Sequence, residues 1–343
     1  MAEGDAAASL NTHYGLVADA ILRGRVVPFL GAGVNLSERP STVCWSAPSV
    51  EYFPSGSELA DYLARTFRYP FTLSALQGHC PDPASHLDLA RVSQYTTTLV
   101  KEGPLNEELR AVFAPPSHGE GGARPEVQPT VVHRFLAGLR ALHPDRPEEP
   151  HQLIVTTNYD DLMEQALGDG KFDLVFYKAD DKPRFWHKAP GTAARPIAEP
   201  NSYPYEFFKD RPVVLKVHGT VDRADPDRAS FVITEDQYIQ YLSEQPVNNL
   251  LPPRVLAKMT QKHHLLFLGY SLRDWNFRVF LWRLQREIDP GRRFQSWAVL
   301  SAADAVDRKS WAEHGVDIIV LDLKAYVEGL QREIASPKRA SVQ

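Results

Sequence analysis

Six short stretches of the chain are mostly apolar and do not alternate: "VVPFL" (26–30), "LIVTT" (153–157), "VVLKV" (213–217), "LLFLG" (265–269), "SWAVL" (296–300) and "DIIVL" (317–321). A strand with one solvated face alternates apolar and polar residues. A run without alternation suits a strand buried on both faces of a parallel sheet. Helical patterns lie between the runs. In "TEDQYIQYLSEQ", Thr234 is placed as N-cap with Gln237 three residues on, the spacing of a capping box. "NFRVFLWRLQREI" (276–288) is amphipathic and stops before Asp289-Pro290-Gly291. Strands alternating with helices predict an α/β fold, a Rossmann-like doubly wound parallel sheet.

Residues 57–113 break the alternation, because "SELADYLARTFRY", "ASHLDLARVSQYTTTLV" and "LNEELRAVF" read as helices with no strand between them. They predict a small helical insertion, over 51–115. The Pro- and Gly-rich 116–130 then reads as a flexible loop, and "HKAPGTAARPIAEPNSYP" (187–204) as a second long irregular segment. The sheet domain is expected from 1–50 and 131–336 together, with 337–343 as a tail. "KAYVEGLQREIA" near the end reads as an exposed C-terminal helix.

Composition narrows the class. The 343 residues are 43% hydrophobic and 24% charged, with a net charge of −5, which argues against a dedicated nucleic-acid surface. Arg283, Arg286, Arg292 and Arg293 read as a solvated helix face and loop. The N-terminus lacks the apolar core of a secretory signal, and no run approaches 18 apolar residues, so a cytoplasmic protein without a membrane span is expected. Cys44 and Cys80 are the two cysteines, too few for a disulfide scaffold or a four-cysteine zinc site.

Candidate chemistry gathers where strands run out, the edge at which open α/β sheets bind ligands. Gly31 and Gly33 follow the first run, and glycine lets a ligand approach the backbone, although a plain strand-to-helix turn would look the same. The dinucleotide fingerprint G-x-G-x-x-G fails, since position 36 is Leu. The second run leads into Thr157, Asn158, Tyr159, Asp160 and Asp161. One aspartate suffices to cap the next helix, which leaves Asn158 for other work. His218 and Gly219 end the third run, and histidine, with an ordinary pKa of about 6.5, exchanges protons near neutrality. Gly269, Tyr270 and Ser271 end the fourth.

"GAG", "TTNYD", "KVHGT" and "GYSLRD" occur in an order and spacing that resembles the sirtuin superfamily, in particular the sirtuin-like domains of bacterial NAD-degrading antiphage defence proteins, from about residue 20 to about residue 300. The resemblance implies that Gly31, Ala32 and Gly33 hold the pyrophosphate of NAD, with Asn35 close by. It places Asn158 and Asp160, with Thr157, at the nicotinamide-ribose end, makes His218 the catalytic histidine beside Gly219, and sets Gly269 and Ser271 at the adenosine half. The family's protein deacylases continue from the glycines to an Asp-Phe-Arg motif and carry a zinc ribbon. This chain has "VNLSERP" there and too few cysteines, so no metal is expected, and the departure counts against an acyl-lysine groove while leaving the NAD pocket.

The implied reaction is hydrolysis of the N-glycosidic bond of NAD, a substrate here, to nicotinamide and ADP-ribose. An NAD- or ADP-ribose-sensing module without catalysis remains open beside it, as does a zinc-free deacylase. A dehydrogenase has no hydride-site motif in its favour. Unchecked NAD loss would kill the cell, so family analogy implies an abortive-infection effector, a homo-oligomer with a separately encoded partner such as a ring-forming ATPase or helicase or an Argonaute-like sensor.

Overall fold

The computed structural model describes residues 3–47, 51–70, 85–115, 118–119, 122–123, 126–142, 152–179, 182–200, 202–203, 211–223, 225, 228–243, 252–260, 263–270, 275–286 and 294–336. Its centre is a nine-stranded sheet. In chain order the strands are β1 (Val26–Leu30), β4 (Leu153–Thr156), β5 (Asp173–Tyr177), β6 (Phe185–Lys188), β7 (Arg195–Pro196), β8 (Val213–Lys216), β11 (His264–Leu268), β12 (Ser296–Leu300) and β13 (Val316–Val320). Two short pairs complete the numbering, β2 (His118–Gly119) with β3 (Gly122–Ala123), and β9 (Gly219–Thr220) with β10 (Ser230–Phe231). The order across the large sheet is β13-β12-β11-β1-β4-β8-β5-β6-β7. From β13 to β5 every pairing is parallel, and β6 and β7 add an antiparallel edge.

The apolar runs are strands because both faces are covered. Val27 and Phe29 enter one core while Val26 and Leu30 enter the other, and the same split recurs at Leu153 and Val155 against Ile154. On one face lie α1 (Glu3–Leu22), α5 (Val131–Gly138), α6 (Leu162–Leu167) and α11 (Leu323–Ile334). On the other lie α7 (Glu235–Ser243), α8 (Pro253–Thr260), α9 (Trp275–Arg286) and α10 (Ala305–Glu313). The capping box predicted for α7 is present, with the Gln237 N–H donating to Thr234 Oγ1 over 3.1 Å and the Thr234 N–H to Gln237 Oε1 over 3.1 Å.

Between β1 and β4 the chain forms α2 (Gly56–Thr66), α3 (Leu89–Val100) and α4 (Glu102–Phe113). These helices have a core of their own, where Leu59, Leu63, Val92, Leu105 and Leu109 meet Tyr159, Leu162 and Phe231 from the sheet side.

The structure corrects three expectations. Part of the segment read as irregular, 187–204, supplies the sheet edge through β6 and β7. The C-terminal helix is not bare. Tyr326, Val327 and Leu330 are fully buried, and Gly329 lies so close to the Tyr14 ring that a Cβ there would come within 2.4 Å of it. The apolar pattern also passed over α1 and β5.

Candidate active site

Strand β1 is where the chain turns from one half of the sheet to the other, since β4 lies on one side of it and β11 on the other. Open α/β sheets bind ligands at the carboxyl ends of the strands beside such a switch. There the structure opens a cavity of about 940 Å³, bordered by Gly31–Gly33, Asn35, Thr157–Asp160, His218 and Gly269. The residues after β12 and β13, including Asp304 and Asp322, extend it along the sheet edge, and Pro54, Leu59, Leu89 and Phe113 of the helical segment form a wall. The volume lies within the range of cofactor and ligand sites.

The glycines are required first by packing. A Cβ on Gly31 would come within 2.7 Å of the Gly269 carbonyl oxygen, and one on Gly33 within 2.8 Å of it. Gly269 itself has φ +69°, a conformation that favours glycine. The Gly31 N–H donates to Leu268 O and the Gly33 N–H to Gly269 O, each over 2.9 Å. This corrects the picture of a phosphate cradle on one point: those two N–H groups are spent on the neighbouring strand end. A ligand beside them meets the bare Cα atoms.

Asn35 follows on a 3₁₀ turn (Ala32–Leu36). Its Nδ2 donates to Asp160 Oδ2 over 2.7 Å, which fixes the amide so that Oδ1, buried, has no donor among the described residues. The other carboxylate oxygen of Asp160 accepts from the Leu162 N–H over 3.1 Å, so Asp160 caps α6, while Asp161 pairs with Arg223 over 2.6 Å. Burial pushes the Asp160 carboxyl upward, and the Lys216 ammonium and the Asn35 amide pull it back.

Asn158 has structural work after all, contrary to the expectation that a bland role was missing. Its Nδ2 donates to Gly31 O over 3.2 Å and its N–H to Thr156 Oγ1 over 3.0 Å. Thr157 is tied on both sides, through its N–H to Leu30 O over 3.1 Å and by the Tyr270 hydroxyl, which donates to its Oγ1 over 2.9 Å. The loop ends of β1, β4 and β11 are thereby sewn into one wall.

His218 is buried on the cavity border with Tyr238 and Tyr241 edge-on to its ring, the centroids 5.3 and 5.6 Å away. Burial lowers its pKa to about 3, so the imidazole is neutral at physiological pH and has a lone pair for a proton. Gly219 does not border the cavity. It has φ +96°, and the side where a Cβ would sit is filled by the Ser230 carbonyl oxygen at 1.9 Å. What it admits is the β10 backbone rather than a substrate. Ser271 lies outside the described residues.

An aromatic row ties the wall to the site, running Phe53–Phe113–Tyr159–Phe231 with centroid spacings of 5.5, 5.5 and 5.2 Å. One residue passed over in the sequence is Lys216, which closes the otherwise apolar β8 and is fully buried. A lysine in the middle of such a run was the available signal. Among the described residues no group of three or more His, Cys, Asp or Glu could hold a metal ion, and no helix is long and apolar enough to cross a membrane.

Residues 152–319 match the SIR2-like domain family. The NAD(+) hydrolase ThsA of Acinetobacter baumannii is 30% identical over 182 residues, 52% of this chain and 29% of that protein. Defense-associated sirtuin 2 of Bacillus subtilis is 27% identical over 129 residues, 37% of this chain and 10% of that protein. The chain thus spans under a third of the length of either relative.

Proposed function

We propose that this chain, which carries a SIR2-like domain over residues 152–319, hydrolyses NAD at the bond between nicotinamide and ribose. The observation that carries the reading is the pairing of Asn158 and a neutral His218 on the wall of one cavity at the sheet's switch point. Binding alone does not call for a proton acceptor there. The family match and a relative named as an NAD(+) hydrolase support the same chemistry.

In the reaction the C1′–N bond breaks and its electron pair leaves with nicotinamide, which departs neutral. The ribose passes through a state of oxocarbenium character. Water adds at C1′, and its proton passes to His218 Nε2 or Nδ1 as general base. Asn158, an amide that both donates and accepts, orients the water or a ribose hydroxyl. Asp160, with its oxygens engaged by Asn35 and Leu162, holds the turn that presents Asn158. Gly31–Gly33 and Gly269 border the dinucleotide, with Thr157 beside the ribose.

Residues 1–50 and 131–336 make up the NAD-binding unit in this reading, with 51–115 inserted as its wall. The biological setting is antiphage defence by NAD depletion, released in a homo-oligomer by a separately encoded partner. Sirtuin-like defence proteins, one of which is a relative here, supply that setting.

The test is NAD loss followed by chromatography for wild type, His218→Ala and Asn158→Ala, alone and in lysate from phage-infected cells. Turnover that vanishes in both variants supports the assignment. NAD or ADP-ribose binding without turnover in any condition makes the chain a nucleotide sensor instead.

A further inference from the structure

Lys216 is on the fourth position of β8, two residues before His218, with its side chain directed into the protein under the turn that carries Asn158. It does not border the cavity and is fully buried, so it cannot touch a ligand there. Its ammonium has three N–H groups and finds three acceptors: Tyr159 O at 3.2 Å, Asp160 O, and Glu164 Oε1 at 2.8 Å. Two of the three are main-chain carbonyls of the turn between β4 and α6.

The turn's remaining ties reach other elements. Tyr159 O also accepts from the Val221 N–H over 3.0 Å, and the Tyr159 hydroxyl donates to Val232 O over 2.7 Å. Lys216 therefore joins the strand that ends at His218 to the turn that holds Asn158 and Asp160. A buried ammonium is a costly way to fill space in a sheet core, since an apolar side chain of the same length would pack there without desolvation.

We propose that Lys216 is a positioning residue of this site, setting Asn158 and Asp160 against His218 through the Tyr159 and Asp160 carbonyls. Its role in turnover rests on the NAD-hydrolysis reading, whereas its role in ordering the turn does not. The competing explanation is that Lys216 merely neutralises Glu164, whose Oε2 is buried without a donor among the described residues.

Three variants of the full chain separate the two: Glu164→Gln, Lys216→Met, and the double variant Lys216→Met/Glu164→Gln. The double variant removes both members of the Lys216–Glu164 ion pair and regains stability lost in Lys216→Met. Positioning predicts that it still loses about 100-fold in kcat, the scale of a displacement near 1 Å, while KM stays close to wild type. Amide hydrogen exchange at residues 157–161 is then faster than in wild type. Glu164→Gln keeps both carbonyl bonds and is expected to retain kcat. Wild-type kcat and exchange in the double variant overturn the proposal, as does a loss of kcat in Glu164→Gln equal to that in Lys216→Met. If wild type does not hydrolyse NAD, the functional reading falls, and exchange at the turn still decides the role of Lys216: faster in the variants supports it, unchanged overturns it.

Discussion

Asn35 and Asp160, 125 residues apart in the chain, meet side chain to side chain over 2.7 Å, and the bond closes the gap between the loop after β1 and the turn after β4. Asp160 is buried, and this amide and the Leu162 N–H are its polar support at the two carboxylate oxygens. Replacing Asn35 by Leu removes the donor and leaves a buried oxygen unsatisfied. The expected loss is about 1–3 kcal/mol, read as a lower urea midpoint at unchanged m-value. NAD turnover falls with it.

Histidine burial sets the acid limit of the fold. His218 and His133 are lowered to about 3 and His13 to about 4, all chiefly by burial. The folded state holds these rings neutral, while the unfolded chain takes up protons below the ordinary pKa of about 6.5. Stability is therefore complete above pH 6.5 and declines as pH falls towards 3. At pH 5 His133 and His218 each cost about 2 kcal/mol by this linkage. Thermal melts between pH 8 and pH 5 should show the fall, and His133→Gln should flatten it. For the reaction, kcat/KM should lack an acid limb at 6.5, because His218 is already deprotonated there. An acid limb near 6.5 in the wild-type profile would contradict the burial of this ring.

Gly219→Ala tests the hairpin after His218. The residue has φ +96°, and the new methyl group would meet the Ser230 carbonyl oxygen. Backbone strain and overpacking together cost about 2–5 kcal/mol. Denaturation monitors the loss. A neutral result would mean that β9 and β10 separate without consequence.

Glu58 anchors the start of α2 and the strand-to-helix loop in front of it. It accepts from the Ser55 N–H at 2.7 Å, the Trp45 N–H at 2.9 Å and Arg39 at 2.9 Å. Burial alone would raise its pKa, but these donors outweigh burial and hold it at about 2. Its contribution is present above about pH 4.5 and is lost as pH falls through 2. Glu58→Gln should cost about 1 kcal/mol at pH 7, in the manner of a lost cap, and the gap to wild type should narrow in acid.

Much of the sheet was legible in the sequence because burial on both faces leaves a signature that needs no partner to read. "VVPFL" and "SWAVL" coincide with β1 and β12 residue for residue. Strand β5 was not legible, since it opens on Asp173, whose carboxylate is held by His187 at 2.8 Å and Arg211 at 2.7 Å, partners distant in sequence. Helix α1 escaped notice because its apolar residues, Val17, Ala18 and Ile21 among them, are spread among polar ones. At the site, residue types at strand ends pointed to loops that border the cavity. They did not reveal that Gly31 and Gly33 spend their N–H groups on β11, or that Gly219 opens towards Ser230. Such pairings are properties of the assembled sheet, and no single segment encodes them.

The row from Phe53 through Phe113 and Tyr159 to Phe231 makes the helical wall and the turn after β4 neighbours in a stack. Tyr159 stands between Asn158 and Asp160 in the chain, and Phe231 pairs with Gly219, next to His218. A smaller side chain at Phe113 would leave the Tyr159 ring unsupported on that side. The wall and the turn are therefore mechanically one body, although they come from stretches far apart in the chain.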